Sequence, residues 1–128
     1  MVGIVLISHS RTLAEGAAEL ARTMGVGKAI AEPAGGTADG GMGTGIEVVE
    51  DAVERARAAG AGPIVLIADI GSSVMTARLV VDEAEGDVVL ADAPLVEGAV
   101  AAASTAAMGA DLGAVVAAAE SAYEHRKS

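Results

Sequence analysis

Val2-Gly3-Ile4-Val5-Leu6-Ile7 runs without a polar side chain into Ser8-His9-Ser10, and Ile64-Val65-Leu66-Ile67-Ala68 runs in the same way into Asp69-Ile70-Gly71-Ser72-Ser73. Strands covered on both faces read as unbroken apolar runs, which places these two at the centre of a parallel sheet. Each ends in a short polar loop. The first loop carries a histidine and the second an aspartate. The only other histidine, His125, lies among Glu124, Arg126 and Lys127 at the end of the sequence, a setting with no evident chemistry.

Working outward, strand-length apolar runs alternate with longer segments of helical character, the pattern of α/β units wound on a parallel sheet. Strands are expected near 2–7, 28–32, 63–69 and 87–91, with helices near 11–24, 45–60, 72–85, 95–108 and 111–125. The stretch 28–32 is less apolar than the central runs and suits an edge. In helix 45–60, Ile46, Val49 and Val53 share one face while Glu47, Glu50, Asp51, Glu54 and Arg57 fill the others. Gly60, Gly62 and Pro63 then stop it. Asp111 is placed to cap the last helix, whose Val115, Val116 and Ala119 turn inward, with Arg126 and Lys127 near its negative end. The expected fold class is a three-layer α/β/α open parallel sheet of about four strands in the flavodoxin-like order 2-1-3-4, in one domain over 1–128. At this length about 70% of the unfolded surface can be buried.

Composition narrows the function. The chain is 52% hydrophobic with no Phe or Trp and one Tyr, so its core is built from Val, Ile, Leu, Met and many alanines, small enough for helices to pack close to a sheet. A net charge of −10 argues against nucleic acid, whose phosphates are held by clustered Lys and Arg. That charge suits a partner that is basic where it docks, or serves solubility alone. Zero cysteines remove disulfides, thiol redox chemistry and thiolate-bound metals. No run has the roughly 18–20 apolar residues of a membrane span, and no secretory leader pattern is present, so a soluble cytoplasmic protein is expected. No metal site is expected, since one useful histidine does not build a usual zinc site. ATP and dinucleotides are poorly supported: neither the nucleotide P-loop spacing nor Gly-x-Gly-x-x-Gly after the first strand occurs.

In an open parallel sheet, ligands bind beyond the carboxyl ends of the strands where neighbouring connections diverge. For the order 2-1-3-4 that point lies between the first and third strands, which would bring His9 and Asp69 together. A carboxylate bonded to one ring nitrogen selects the tautomer and leaves the other nitrogen's lone pair free to attack. It also favours the protonated, unreactive ring, which helix N-termini nearby would offset. Gly43-Thr44-Gly45 and Gly71-Ser72-Ser73 each open an expected helix, and their amides and hydroxyls suit a phosphoryl group. The segment Pro33–Gly45 has seven Gly or Pro in thirteen residues, a long loop read as functional. Taken singly, His9 is also compatible with a structural role, Asp69 with a helix cap and the glycines with a flexible loop.

Leu6-Ile7-Ser8-His9-Ser10 with Leu13-Ala14-Glu15-Gly16, then Gly43-Thr44, Asp69-Ile70-Gly71-Ser72 and Ala93-Pro94-Leu95-Val96-Glu97-Gly98-Ala99, together resemble the DhaM family. These are phosphocarrier subunits of phosphoenolpyruvate-dependent dihydroxyacetone kinase, with a domain similar to the mannose-type EIIA domain of the sugar phosphotransferase system. The resemblance covers almost the whole chain, and Ala93–Ala99 separates it from the sugar-transport EIIA domains. It implies a phosphotransferase subunit in which His9 takes a phosphoryl group from phospho-HPr on Nε2 and passes it to ADP held by the DhaL subunit. That nucleotide then phosphorylates dihydroxyacetone on DhaK. It further implies that Asp69 orients His9, that Ser10, Gly43, Thr44, Gly71, Ser72 and Ser73 hold the phosphate, and that the chain forms a homodimer. No cofactor is expected on this chain, with ADP and magnesium on DhaL. Ile70 stands where the family is expected to have leucine, a change the loop should tolerate. Some relatives fuse HPr-like and enzyme I-like domains behind this one, and a chain ending at Ser128 would need separate donors. A mannose-type EIIA serving a sugar transporter, a phosphohistidine regulatory module and a small-ligand-binding domain remain as alternatives. A histidine phosphatase fits less well, because Ser8-His9-Ser10 lacks the Arg-His-Gly pattern.

Overall fold

The computed structural model describes residues 1–128. Its elements in chain order are β1 (Gly3–Ser8), α1 (Arg11–Met24), β2 (Ile30–Gly35), α2 (Ile46–Ala58), β3 (Ile64–Ala68), α3 (Ser72–Glu83), β4 (Val88–Leu90), α4 (Leu95–Ala107) and α5 (Leu112–Ser121), closed by a 3₁₀ turn over Ala122–Glu124. The strands form one parallel sheet in the order β2-β1-β3-β4, as the two apolar runs require. No helix is long and apolar enough to cross a membrane.

Alternation along the central strands builds the two faces. Ile4 and Leu6 of β1 and Val65 and Ile67 of β3 point to one side, where Ala17, Ala18 and Ala21 of α1, the alanines of α4, and Val115 and Ala119 of α5 cover them. Val5, Ile7, Ile64 and Leu66 point to the other, against Val49, Ala52 and Val53 of α2 and Ala77 and Val80 of α3. Alanine at these helix positions lets the helices approach closely, so a core without Phe or Trp still closes. Asp111 caps α5 by accepting from the Ala114 N–H at 2.9 Å. Lys127 reaches Glu97 of α4 at 3.0 Å rather than the α5 carbonyls.

The second strand departs from expectation. It spans Ile30–Gly35 rather than 28–32, so Pro33, Ala34 and Gly35 pair with Leu6, Ile7 and Ser8 instead of opening the glycine-rich loop. Because β2 lies at the edge of the sheet, the missing N–H of Pro33 breaks no ladder on its open side. The Arg55 guanidinium donates to the Pro33 carbonyl at 2.7 Å and to Glu32 at 3.1 Å, covering that edge with charge. The remaining boundaries shift by a few residues at most, chiefly through earlier helix ends such as Glu83 in α3 and Ser121 in α5.

Two backbone positions carry local constraints. A Cβ on Gly35 would lie 2.6 Å from both Arg11 Cα and Ser10 O, so only glycine lets the start of α1 sit on the end of β2. Val26, in the turn after α1, has φ 57, a left-handed conformation that a β-branched residue adopts only with strain. Thermal unfolding should separate the two: Gly35→Ala is expected to lower Tm by roughly 5–10 °C through overpacking, and Val26→Asn to raise it by about 3 °C.

Candidate functional site

Strands β1 and β3 are neighbours whose connections leave on opposite faces, to α1 and α3, and the loops at their carboxyl ends meet. Ser10 starts α1 by accepting the Leu13 N–H at 3.2 Å, so the chain turns sharply at His9. Asp69 follows β3 directly, and its N–H donates to the Ile7 carbonyl at 3.0 Å, which holds it level with the end of β1. His9 Nδ1 and Asp69 Oδ1 lie 3.0 Å apart although sixty residues separate them in sequence.

The carboxylate is surrounded by donors. Asp69 Oδ2 accepts from the Ser8 hydroxyl at 2.9 Å and the His9 N–H at 3.0 Å, while Oδ1 accepts from the Ile70 N–H at 2.7 Å. Burial raises the Asp69 pKa, but the hydroxyl of Ser73, the Ile70 and His9 amides and the Ser8 hydroxyl together outweigh it and bring it down to about 2. The carboxyl group is therefore ionised at neutral pH and acts only as an acceptor. A hydrogen bond to it from Nδ1 requires a proton on Nδ1, which in the neutral ring leaves the lone pair on Nε2.

The Nε2 side is open. Ser72 Oγ lies 2.7 Å from Nε2 and, with the ring proton on Nδ1, donates to it. Thr44 Oγ1 stands 3.4 Å from Ser72 Oγ. The N–H groups of Gly71 and Ser72, at the start of α3, and of Thr44, before α2, have no acceptor within the protein. Unpaired amides at helix starts, together with two hydroxyls, form a seat for an anion beside the ring. His9 itself is about one-third exposed, at 31%, against 13% for Asp69.

Not every expected phosphate contact lies on that side. Ser73 is fully buried, with its hydroxyl 3.1 Å from His9 Nδ1 and 3.1 Å from Thr44 Oγ1, because successive helix positions diverge and Ser72 takes the outward one. The Gly43 N–H donates to the His9 carbonyl at 3.0 Å, so it fixes the backbone of the histidine rather than facing a ligand. Ser10 Oγ is occupied as the α1 cap. Ser8 is not among the residues expected to hold phosphate; the one signal for it in the sequence is a hydroxyl at the end of a wholly apolar strand, which must find a partner when buried. The largest cleft, about 610 Å³, lies beneath the ends of β3 and β4 and meets the site only through Ala68 and Asp69, so it does not contain the reactive face of His9. No group of three or more His, Asp or Glu side chains converges as metal ligands.

Residues 3–116 match the family model EIIA-man, described as the PTS system fructose IIA component. The chain is 34% identical to the phosphoryl donor subunit DhaM of PEP-dependent dihydroxyacetone kinase 1 from Listeria innocua, over 80% of this chain and 79% of that one. It is 33% identical to the phosphotransferase subunit DhaM of Lactococcus lactis, over 88% of this chain and 89% of that one. The DhaM subunit of Escherichia coli is 38% identical over 91% of this chain, but the match spans only 26% of that longer protein. A crystal structure of a protein of unknown function, EF1359, superposes with a TM-score of 0.77 at 33% identity, covering 93% of this chain and 92% of that one.

Linkage gives a test of the carboxylate's state. Since the folded pKa of about 2 lies below the ordinary 3.8, the Asp69 contribution to stability is complete above about pH 4 and is lost as pH falls through 2. Asp69→Asn is expected to be less stable than the wild type at pH 7 by about 2 kcal/mol, with the difference shrinking towards pH 2 in urea titrations at stepped pH.

Proposed function

The chain belongs to the EIIA-man family, in its DhaM-like branch, and on that premise we propose that it relays a phosphoryl group through His9 to a dihydroxyacetone kinase. The observation that carries this reading is the division of the imidazole between two environments. An ionised carboxylate holds Nδ1, and hydroxyls with unpaired amides surround Nε2.

The reaction follows from that division. The Nε2 lone pair attacks the phosphorus of phospho-HPr, an N–P bond forms, and the donor imidazole leaves with the electron pair of the bond that breaks. The His9 ring, now phosphorylated on Nε2 and still protonated on Nδ1, is positively charged, and Asp69 3.0 Å away stabilises that charge. Ser72 turns its hydroxyl from Nε2 to a phosphoryl oxygen, joined by Thr44 and the amides of Thr44, Gly71 and Ser72. In the second step an oxygen of the terminal phosphate of ADP on DhaL attacks, and Nε2 leaves with its electrons, restoring the Nδ1–H ring. Ser73, Gly43 and Ser10 support the site from behind and beside it. The nucleotide, its magnesium and dihydroxyacetone belong to DhaL and DhaK on this reading; the names of the DhaM relatives support the coarser part of it, a phosphoryl donor subunit of a dihydroxyacetone kinase.

Exposed apolar side chains are consistent with protein donors and acceptors. Leu13, Met42, Ile70 and Met75 are 44%, 81%, 70% and 66% exposed and sit on the segments next to His9, Thr44, Asp69 and Ser72. The description of the matched family model favours one second reading, an EIIA component of a sugar phosphotransferase system, with the same first step and another acceptor.

Incubation with enzyme I, HPr and labelled phosphoenolpyruvate tests the relay. Acid-labile, base-stable label is expected on the wild type and none on His9→Ala, while Asp69→Ala should accept label about 10²-fold more slowly. Label persisting in His9→Ala would refute the relay. Discharge by DhaL–ADP but not by a sugar-specific EIIB protein would separate the two acceptors.

A further inference from the structure

Ser8 is the last residue of β1 and one of two buried polar side chains in the protein. Its neighbours along the strand are wholly apolar, and an alanine would complete the same packing. A buried hydroxyl is unfavourable unless bonded, and this one is bonded twice. It accepts the Ser10 N–H at 3.0 Å and donates to Asp69 Oδ2 at 2.9 Å. The first bond occupies an acceptor direction of the oxygen, which leaves its proton directed at the carboxylate.

A carboxylate turns readily about its terminal torsion. At Asp69, Oδ2 is fixed by the Ser8 hydroxyl and the His9 N–H, which leaves Oδ1 facing Nδ1 with the Ile70 N–H. We propose that Ser8 is a positioning residue for His9, whose hydroxyl fixes the Asp69 carboxylate so that the imidazole proton stays on Nδ1 and the lone pair on Nε2. Through its bond to Ser10 the same hydroxyl ties the start of α1 to that carboxylate, so the histidine is gripped between both of its chain neighbours. This inference rests on the reading of His9 as the phosphoryl acceptor. The charged groups lining the cleft beside Asp69 are Arg78 and Asp82 of α3, Asp92 beyond β4 and Glu120 of α5, and none of them hydrogen-bonds the carboxylate. Beside the backbone N–H groups of His9 and Ile70 and the hydroxyl of Ser73, Ser8 is the donor that also ties Oδ2 to the start of α1.

The test uses the whole chain with ¹⁵N-labelled histidine and ¹³C-labelled aspartate, as wild type, Ser8→Ala and Ser8→Thr. The wild-type His9 ring should show the Nδ1–H tautomer and Asp69 should titrate near 2. In Ser8→Ala the ring should become a mixture of tautomers, the Asp69 midpoint should move up towards 3.8, and uptake of phosphoryl from phospho-HPr should slow about tenfold. Ser8→Thr, which keeps the hydroxyl, should restore all three. A Ser8→Ala protein with the wild-type tautomer and Asp69 midpoint, whatever its melting temperature, would overturn the proposal. The ring and carboxylate signals are read on unphosphorylated protein. A Ser8-dependent tautomer in a wild type that takes up no phosphoryl group would therefore sustain this inference and count against the relay alone.

Discussion

The hydrogen bond between the Asp69 carboxylate and Nδ1 of His9 is the constraint on which the site depends. It exists because β1 and β3 lie side by side and in register, Ile7 opposite Ala68, so that the residues just beyond them emerge at one height. That adjacency in turn depends on two apolar runs with enough Val, Ile and Leu to be buried on both faces. Shifting either strand by one residue would turn its core side chains to the wrong face. The packing that stabilises the sheet therefore also sets the geometry of the imidazole.

Electrostatics work locally and against the average. A chain of net charge −10 repels a phosphoryl dianion. Opposing this, the Asp69 charge is taken up by the Ser8 hydroxyl and two amides, and the far side of the ring faces unpaired N–H groups at the starts of α2 and α3. Dipoles that are already oriented need no rearrangement when charge arrives, which suits a group that is loaded and unloaded repeatedly.

Much of this is legible in the sequence, for physical reasons that also mark where legibility ends. Burial on both faces leaves an unmistakable apolar run, so β1, β3 and their loops stand out in the sequence, and the strand order they imply brings His9 and Asp69 together. An edge strand leaves a weaker trace, and Pro33 looked like the start of a loop because its tolerance at an edge depends on neighbours the sequence does not name. Hydroxyl roles were harder still. Ser72 and Ser73 are adjacent and chemically alike, yet the turn of α3 exposes one at Nε2 and buries the other at Nδ1. Ser8 disappeared into a strand, since only the position of Asp69 gives its hydroxyl a purpose.

The site of attachment on the ring tests the central claim most directly. If Asp69 holds the proton on Nδ1, ³¹P–¹⁵N NMR of the protein phosphorylated through HPr should find the phosphorus bonded to Nε2 of His9, with Nδ1 still protonated. Phosphorus on Nδ1, or on any residue other than His9, would contradict the account.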